Sequence, residues 1–409
     1  MPSTYDVIVV GARCAGSPTA MFLARAGHRV LMVDRATFPS DTMSTHLVHP
    51  PGVAALERWG LLDRLASSGC PPITNYRIDF GPFMIAAPPK PVGAISHAYA
   101  PRRTVLDKLL VDAAVEAGAE LRESFTVSEI LAEHGSVTGI RGHAKDSARV
   151  TERARVVIGA DGLHSFVARV VQASRYHDQP ALEASYYAYW SGLPTDGFEG
   201  FIRPGRSWAA FPTHDDLTVV IVGWPRREFE ANRGAVEGNY LRMFEMAPDF
   251  AERIGAATRE SRFVGTADLP NFFRTPCGPG WALVGDAGYH KDPLTAQGIS
   301  DAFRDAELLA AGLDRWLAGG HSFEDEMADY QSARDSLALP MFELTCQLAS
   351  MEPPAPPMRE LLAALPGNQE AMTGFVSVIA GTVPVPEFFA PSNVQRILEA
   401  ARPGATTEG

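Results

Sequence analysis

The N-terminal part of the sequence constrains the fold more than any other stretch. Asp6 to Val10 has the length and apolarity of a buried strand, and Ser17 to Ala26 has the apolar spacing of a helix. Between them lies GARCAG, a turn of mostly small residues from Gly11 to Gly16. A second apolar run, His28 to Val33, ends at Asp34, about 20 residues beyond the turn. This order predicts a parallel βαβ unit that binds a dinucleotide, in preference to an ordinary α/β turn.

Individual residues of this unit have predicted tasks. Gly11 permits the sharp exit from the strand, and Gly16 lets the helix pack against the sheet. The helix N-terminus presents unpaired N–H groups to a pyrophosphate, and Asp34 is placed to accept hydrogen bonds from a ribose. Arg13 replaces the middle glycine of G-x-G-x-x-G, which keeps the backbone farther from the phosphates but adds positive charge. The predicted cofactor contacts are Gly11, Arg13, Cys14, Ala15, Gly16, Asp34 and Arg35.

Composition favours a protein that acts on small molecules. The 409 residues exceed what one core usually organises, so two interleaved domains and a terminal extension are expected. A net charge of -12 without a basic run argues against nucleic acid and against stable membrane association. Without a signal sequence or an apolar run near ~18 residues, a cytoplasmic monomer or homodimer is expected. The four cysteines lack ligand spacing, so no metal site is predicted.

An arginine pair begins a predicted amphipathic helix that spans Ala100 to Leu121. Cations near a helix N-terminus oppose the macrodipole, which suggests that Arg102 or Arg103 faces an anion such as a phosphate. An exposed salt bridge is the alternative.

Two later turns follow predicted strands. The first, Asp161-Gly162, ends the strand Val156 to Ile158, and the carboxyl edge of a parallel sheet is where ligands collect. The second, Gly285-Asp286, ends the strand Trp281 to Val284, and a long helix is expected from about Ala296. Asp286 is placed to bond a sugar or ribityl hydroxyl, with helix capping as the alternative.

Leu182 to Trp224 alternates apolar and polar residues and is rich in aromatic residues, with Gly, Pro and Asp between the segments. This pattern predicts an antiparallel sheet, one face of which can form a pocket wall. Core packing is the alternative for each aromatic residue. The candidates for the wall include Tyr187, Tyr189, Trp208 and Phe211.

The order and spacing of GARCAG, ADGLHSFVAR and GDAGYHKDPLTAQGIS resemble the flavoprotein monooxygenases whose best-known member hydroxylates para-hydroxybenzoate. The DPLTAQGI segment also resembles geranylgeranyl reductases and flavin halogenases, which share the fold. Two positions depart from the pattern: Tyr289 stands where the family commonly has histidine, with His290 displaced by one, and Ala296 where it commonly has glycine.

The resemblance implies an FAD site. It implies that Asp34 holds the adenosine ribose, that Arg103 contacts the cofactor, and that Asp286 binds the ribityl chain. Asp161 would serve the pyrophosphate side and NAD(P)H. The implied contacts beyond the βαβ unit are Arg103, Asp161, Gly162, Gly285, Asp286, Pro293, Ala296, Gln297, Gly298 and Ile299.

The resemblance also implies a reaction. In the family, NAD(P)H reduces FAD, and O2 forms a hydroperoxyflavin that hydroxylates an electron-rich substrate. The implied function is therefore an NAD(P)H-dependent FAD monooxygenase acting on an aromatic or polyketide-like small molecule. The alternatives are a reductase or dehydrogenase of carbon–carbon double bonds and, third, a halogenase, because SWAAFP lacks the W-x-W-x-I-P pattern. Candidate residues for tuning or deprotonating the substrate are His290, Tyr289 and His46.

The expected fold class is α/β, with a Rossmann-like FAD-binding domain interleaved with an α+β substrate domain and followed by C-terminal helices. The expected boundaries are 1–70, 97–181 and 265–340 for the FAD-binding domain, 71–96 and 182–264 for the substrate domain, and 341–409 for the C-terminal helical segment. Apolar residues of the last segment, such as Phe375 and Val376, need cover, so the segment should pack over the substrate side or form a subunit contact.

Overall fold

The computed structural model describes residues 5–402, which form an α/β protein with two large sheets. The strands are β1 (Tyr5–Val10), β2 (Val30–Val33), β3 (Pro72–Ile73), β4 (Tyr76–Asp79), β5 (Met84–Ala87), β6 (Ala98–Tyr99), β7 (Glu120–Arg122), β8 (Phe125–Glu133), β9 (Ser136–Ala144), β10 (Val150–Gly159), β11 (Arg175–Gln179), β12 (Glu183–Ser191), β13 (Phe198–Arg203), β14 (Arg206–Pro212), β15 (Thr218–Pro225), β16 (Thr258–Arg259), β17 (Val264–Thr266), β18 (Asn271–Arg274), β19 (Cys277–Gly278), β20 (Trp281–Leu283) and β21 (Tyr289–His290).

The helices are α1 (Gly16–Arg25), α2 (Pro50–Arg58), α3 (Leu62–Ala66), α4 (Arg103–Glu116), α5 (Phe166–Val170), α6 (Phe229–Asn232), α7 (Val236–Phe244), α8 (Pro248–Ala256), α9 (Gly298–Ala318), α10 (Phe323–Ala349), α11 (Pro356–Ala364), α12 (Gln369–Ile379), α13 (Val385–Phe388) and α14 (Pro391–Ala400). Short 3₁₀ turns occur at Arg226–Glu228, Arg233–Ala235, Gly285–Ala287 and Pro293–Thr295.

The first sheet contains the predicted βαβ unit. Its strand order is β19-β20-β10-β1-β2-β7, and β20, β10, β1, β2 and β7 are parallel. Side chains of β1 enter two separate cores, with Val7 and Val9 on one face and Ile8 and Val10 on the other. Burial on both faces explains why this strand is apolar throughout. The arrangement confirms the predicted Rossmann-like fold class.

The second sheet has the order β16-β12-β15-β14-β13-β4-β5, and all of its neighbours along this path are antiparallel except β13 and β4. It therefore combines strands from both predicted substrate segments. One face packs against α7 and α8, and the other packs against the C-terminal helices. The sheet is thus covered on both sides. Side chains alternate between the two faces along each strand, and the face that packs on the C-terminal helices is also the one that faces the cavity.

The C-terminal helices lie on the same side of the second sheet as Tyr187 and Phe211, and Phe375 and Val376 join the core that contains them. The predicted boundary after Pro340 falls within one continuous helix, because this proline lies inside α10. Proline removes one helical hydrogen bond, but packing can carry a helix through it, and here Ala338 is buried on the preceding turn. Within residues 5–402, none of the helices combines the length and apolarity that crossing a bilayer requires.

Candidate active site

Three glycines allow the backbone turns at the carboxyl edge of the first sheet to approach one another. Gly11 has a φ of 103°, and a side chain there would overlap the Ala160 carbonyl. A Cβ on Gly16 would overlap the carbonyl oxygen of Gly11, and one on Gly285 would lie 2.7 Å from the Cβ of Ala15. These turns therefore leave an open cradle of backbone at the N-terminus of α1.

Asp34 lies at the end of β2 and holds two parts of this cradle. Its Oδ2 accepts a hydrogen bond from the Ala12 amide at 2.7 Å, and its Oδ1 accepts one from the Ala36 amide at 2.8 Å. The carboxylate is 8% exposed and lines the cavity, as does the exposed Arg35. Asp34 thus fixes the turn and still presents acceptor lone pairs to a ligand.

Replacing Asp34 with alanine is expected to weaken FAD binding by about 1–3 kcal/mol, because hydrogen bonds to a buried carboxylate are lost. Equilibrium titration of apoprotein with FAD measures the change. Asp6→Ala is the matched control, since Asp6 accepts a hydrogen bond from the Arg29 amide outside the cavity. Equal affinity for FAD in the two variants would contradict the predicted role of Asp34.

Asp107, on α4, organises the charges beside the cradle. It is fully buried and accepts hydrogen bonds from the Arg103 guanidinium at 2.8–3.1 Å and from Arg13 at 2.5 Å. The Cys14 thiol donates to it at 3.4 Å. Asp107 thus pairs with two guanidinium groups, and Arg13 also donates to Ser40 while it lines the cavity, so its contact with a phosphate stays a prediction.

The Asp161 carboxylate caps a helix as well as facing the cavity. It accepts hydrogen bonds from the Ser165 hydroxyl at 2.5 Å and from the amides of Phe166 and Val167, the first residues of α5. Burial raises the pKa of Asp161 despite these bonds. Gly162 and Asp286 also line the cavity, and Asp286 is exposed there.

The cavity has a volume of about 870 Å³ and runs from the cradle to the second sheet. Parallel strands end at one edge of their sheet, which explains why turns far apart in sequence converge here. The predicted contacts that line it are Gly11, Arg13, Cys14, Ala15, Asp34, Arg35, Arg103, Asp161, Gly162, Gly285, Asp286, Pro293, Ala296 and Gly298. Gly16 lies behind this surface, where it packs against Gly11.

The segment from Asp292 to Gly298, here called the DP turn, leads into α9 at the cavity. Ala296 has left-handed backbone angles, φ 52° and ψ 30°, which a glycine would adopt without strain. Two predicted contacts in and after the turn are directed elsewhere. The Gln297 side chain donates to the Ile379 carbonyl at 2.8 Å, and Ile299 packs in the core of the first sheet. Successive residues of a helix point to different sides, so these two side chains face away from the cavity, while backbone contacts of both residues with FAD stay a prediction.

The aromatic wall contains fewer residues than predicted. Tyr187 lines the cavity, whereas Tyr189 and Phe211 lie deeper in the same core. Trp208 is on the opposite face of the sheet, stacked against Phe201 at a centroid distance of 4.8 Å. The prediction for Trp208 is wrong because side chains alternate along β14, and Trp208 and Phe211 differ by an odd number of positions.

His46 is fully buried and lies outside the cavity surface. Its Nε2 lies 2.7 Å from the hydroxyl of Tyr189, and its ring contacts Tyr187 edge-on. Burial, with the nearby Arg103 and Arg102, lowers the pKa of His46 to about 3, while burial raises that of Tyr189 to about 12. The neutral imidazole therefore fixes Tyr189 behind the wall, and burial removes His46 from contact with a ligand in the cavity.

His290 and Tyr289 both line the cavity but differ in what their polar atoms do. The Nδ1 of His290 lies 2.5 Å from the Pro270 carbonyl oxygen, so Nδ1 carries the proton and Nε2 is the acceptor. The Tyr289 hydroxyl accepts a hydrogen bond from Lys291 at 2.8 Å, and Lys291 also pairs with Asp301. His290 is thus the better placed of the two to accept a proton.

Sequence reasoning missed two polar residues that the structure places around the site, Asp107 and Glu183, and it considered a third, His49, only as a loop histidine that could act as an acid or base. Asp107 follows Arg103 by one helical turn, a spacing that could have indicated the ion pair. His49 donates from Nε2 to the Thr295 carbonyl and accepts at Nδ1 from the Tyr76 hydroxyl, and burial lowers its pKa to about 4. Glu183, at the start of β12, carries no sequence signal because its partner, Asp292, is 109 positions away.

A protein-family model described as an FAD binding domain matches residues 4–220, more than half of the chain. The chain belongs to this FAD-binding family. The cradle fits such a group, since the close packing at Gly11, Gly16 and Gly285 leaves backbone open to the cavity at the N-terminus of α1. Members of this group of FAD-dependent oxidoreductases include monooxygenases, reductases and halogenases.

One relative by sequence and two solved structures are similar to this chain over most of its length. A menaquinone reductase of Mycolicibacterium smegmatis is 26% identical over 353 residues, which cover 82% of this chain and 81% of that protein. Two solved structures, each 22% identical, share the fold: the myxobacterial chondrochloren halogenase CndH, with a TM-score of 0.79 and coverage of 98% and 97%, and PqsL, a probable FAD-dependent monooxygenase from Pseudomonas aeruginosa, with 0.71 and coverage of 91% and 99%.

Proposed function

We propose that this protein is an FAD-dependent monooxygenase that uses NAD(P)H and O2 to hydroxylate an aromatic or polyketide-like small molecule. The observation that supports this most is the tyrosine wall, in which Tyr187 faces the cavity and Tyr189 and His46 fix it from behind. Bound FAD would supply the electron transfer and oxygen chemistry, which belong to the cofactor. The chain supplies binding, orientation and the exclusion of water.

The proposed cofactor contacts follow the geometry of the cradle. Asp34 would bind the adenosine ribose, the N-terminus of α1 the pyrophosphate, and Asp286 the ribityl chain. The N-terminus of α9, after the DP turn, would stabilise negative charge at the ring system. His290 Nε2 would accept a proton from an acidic substrate hydroxyl, since its Nδ1–H is held by the Pro270 carbonyl.

The source of the oxygen atom in the product tests this function. Under labelled dioxygen, turnover by purified FAD-loaded protein with NAD(P)H and candidate phenols should give product with one labelled oxygen atom. Mass spectrometry of the product measures the label. Product that forms equally well without oxygen, or that carries no label, would reject the monooxygenase.

The role of the wall can be tested in the same assay. Tyr187→Ala should keep NAD(P)H oxidation while diverting oxygen to hydrogen peroxide, because an opened wall admits water. Tyr186→Ala is the matched control, since Tyr186 lies on the opposite face and stacks on Trp224 at 5.1 Å. Equal peroxide yields in the two variants would argue against a water-excluding wall.

The second candidate function is reduction of a carbon–carbon double bond in an apolar or quinone-like molecule. It is favoured by the menaquinone reductase, which is similar over four fifths of the chain. This candidate predicts that product forms in the absence of O2 and that product formed under labelled dioxygen carries no label. The halogenase alternative is weaker, because Ser207 and Ala209 occupy the two tryptophan positions of the W-x-W-x-I-P pattern in β14.

A further inference from the structure

Two buried carboxyl groups meet between the second sheet and the DP turn. Glu183 is 3% exposed and Asp292 is 1% exposed, yet Asp292 also lines the cavity. The Oε2 of Glu183 and the Oδ2 of Asp292 are both buried and make no bond to any other group. The Glu183 and Asp292 side chains lie within hydrogen-bond reach of each other. The two oxygens that lack any other partner therefore belong to one carboxyl pair.

The surroundings of the pair are arranged to hold it. Glu183 lies over Gly223 of β15, where a Cβ would come within 2.6 Å of Oε2 and 2.9 Å of the Ser207 hydroxyl. Asp292 donates its amide to the Asn271 side chain at 2.6 Å, and its Oδ1 accepts from the Leu294 amide at 3.1 Å. The pair thus joins β12, β15 and β18 to the start of the DP turn.

Within residues 5–402, no cation bonds to either carboxyl. The nearest lysine in sequence, Lys291, is taken by Asp301 and the Tyr289 hydroxyl. On α10, burial raises the pKa of the Cys346 thiol, and the nearby Asp292 carboxylate raises it further. Two uncompensated charges in such a site would cost several kcal/mol each, so the pair retains a proton instead.

Burial and the neighbouring acid determine which carboxyl keeps the proton. Burial, followed by the Asp292 charge, raises the pKa of Glu183 well above its usual range. Burial raises the pKa of Asp292 to about 7, while hydrogen bonds from Leu294 and Glu183 oppose the rise. The Leu294 N–H stabilises a carboxylate at Asp292, whereas the Oε2 of Glu183 accepts no hydrogen bond, so Glu183 keeps the proton and donates it to Asp292 in a hydrogen bond. Asp292, which lines the cavity, is the member that exchanges a proton with it.

We propose that Asp292 is an acid–base residue of the cavity and that Glu183 is the positioning residue that holds it there. As an acid, the Asp292 O–H bond breaks and the proton passes to a basic atom of the cavity ligand. The resulting carboxylate stays bound to the Glu183 O–H and the Leu294 N–H, and regains a proton from solvent through the cavity. As a base it runs the same step in reverse. The first three tests below need no substrate, so failure of the proposed oxygen chemistry would leave the inference standing.

Infrared spectroscopy of FAD-loaded protein tests the proton on Glu183. The difference between wild type and Glu183→Gln at pH 8 should contain the carbonyl band of a protonated carboxylic acid. Glu199→Gln is the control, because Glu199 is also buried in the second sheet but is paired with Arg253 at 2.5 Å. A Glu183 difference spectrum with only carboxylate bands, like that expected for Glu199, would overturn the proposal.

The visible absorbance of bound FAD tests the titration of Asp292. Wild type should show a spectral transition near pH 7, and Asp292→Asn should lack it. Glu183→Gln should keep a transition within about one pH unit, since an amide N–H still donates to Asp292, whereas Glu183→Ala should move it to higher pH. An unchanged transition in Asp292→Asn would overturn the assignment, and so would equal transitions in Glu183→Ala and wild type.

The pH dependence of stability is a third test of the proton on Glu183. Because the folded pKa of Glu183 is raised, its contribution to stability is fully present below the unfolded pKa of about 4.3 and is lost as pH rises. Between pH 5 and 7, the unfolding constant of wild type should therefore increase relative to that of Glu183→Gln by up to about tenfold per pH unit. Urea unfolding of FAD-loaded protein measures it. A pH-independent ratio would contradict a protonated Glu183.

The pH dependence of the turnover rate is the last test. Asp292→Asn should lose the change in rate near pH 7, while its FAD content stays the same as that of wild type. Glu183→Gln should retain that change in rate, which separates a lost acid–base group from a merely disturbed fold. A full pH profile in Asp292→Asn would reject the catalytic role even if the spectral transition were present.

Discussion

Replacing Asp107 with alanine is expected to lower the free energy of unfolding by about 3–5 kcal/mol, because the buried Arg103 loses its counter-ion. Arg103 makes three hydrogen bonds to Asp107, and its side chain is only 10% exposed. Arg13 loses its carboxylate in the same variant. FAD affinity should fall together with stability, since both arginines line the cavity. Urea unfolding and FAD titration measure the two effects.

Asp112→Ala is the matched control for this prediction. Asp112 lies on the same helix and pairs with Lys108 one turn earlier, but both side chains are more than a third exposed. Its loss should cost less than about 1 kcal/mol. If the two variants unfold at similar urea concentrations, Asp107 is not the residue that compensates the buried arginine.

Gly16→Ala is expected to weaken FAD binding by roughly 100-fold or more. The added Cβ would overlap the Gly11 carbonyl oxygen and lie 3.1 Å from the Cβ of Ala160, so the turn must move. Overpacking against backbone costs about 1–3 kcal/mol or more, and a displacement of the cradle acts directly on the cofactor. Fluorescence titration of apoprotein with FAD measures the change.

Gly238→Ala provides the control for the glycine effect. Gly238 lies within α7, and a Cβ there would meet nothing within 4 Å. The substitution should stabilise the protein slightly, by about 0.4–1 kcal/mol, because alanine restricts the unfolded chain. Retention of normal FAD affinity by Gly16→Ala would show that the turn can relax around the new side chain.

The parts of this fold that sequence could predict are those encoded by local patterns. The βαβ unit needs a continuous apolar strand, a turn of small residues and an acid at the end of the next strand, and all three lie within 30 consecutive positions. Asp161 and Asp286 could be placed on the same principle, since turns after parallel strands share one edge of the sheet. Their contacts with FAD stay predictions.

Other features depend on tertiary contacts that no local pattern reports. Alternation along β14 divides Trp208 from Phe211, but it does not say which face meets the cavity until the covering helices are known. A proline such as Pro340 usually indicates the end of a helix, but packing of α10 keeps the helix continuous through it. The meeting of Glu183 with Asp292 requires both the sheet and the DP turn, so neither residue is informative alone.

The bond between Gln297 and the Ile379 carbonyl, together with that between the Thr295 and Thr345 hydroxyls at 2.8 Å, has a consequence for the order of synthesis. The ribosome makes the βαβ unit first, so the adenosine half of the cradle can form early. The DP turn receives its first support from Thr345 of α10, 50 positions after Thr295, and its second only when α12 has been translated, more than 80 positions after Gln297. A nascent chain can thus form the βαβ unit well before the DP turn is held in place.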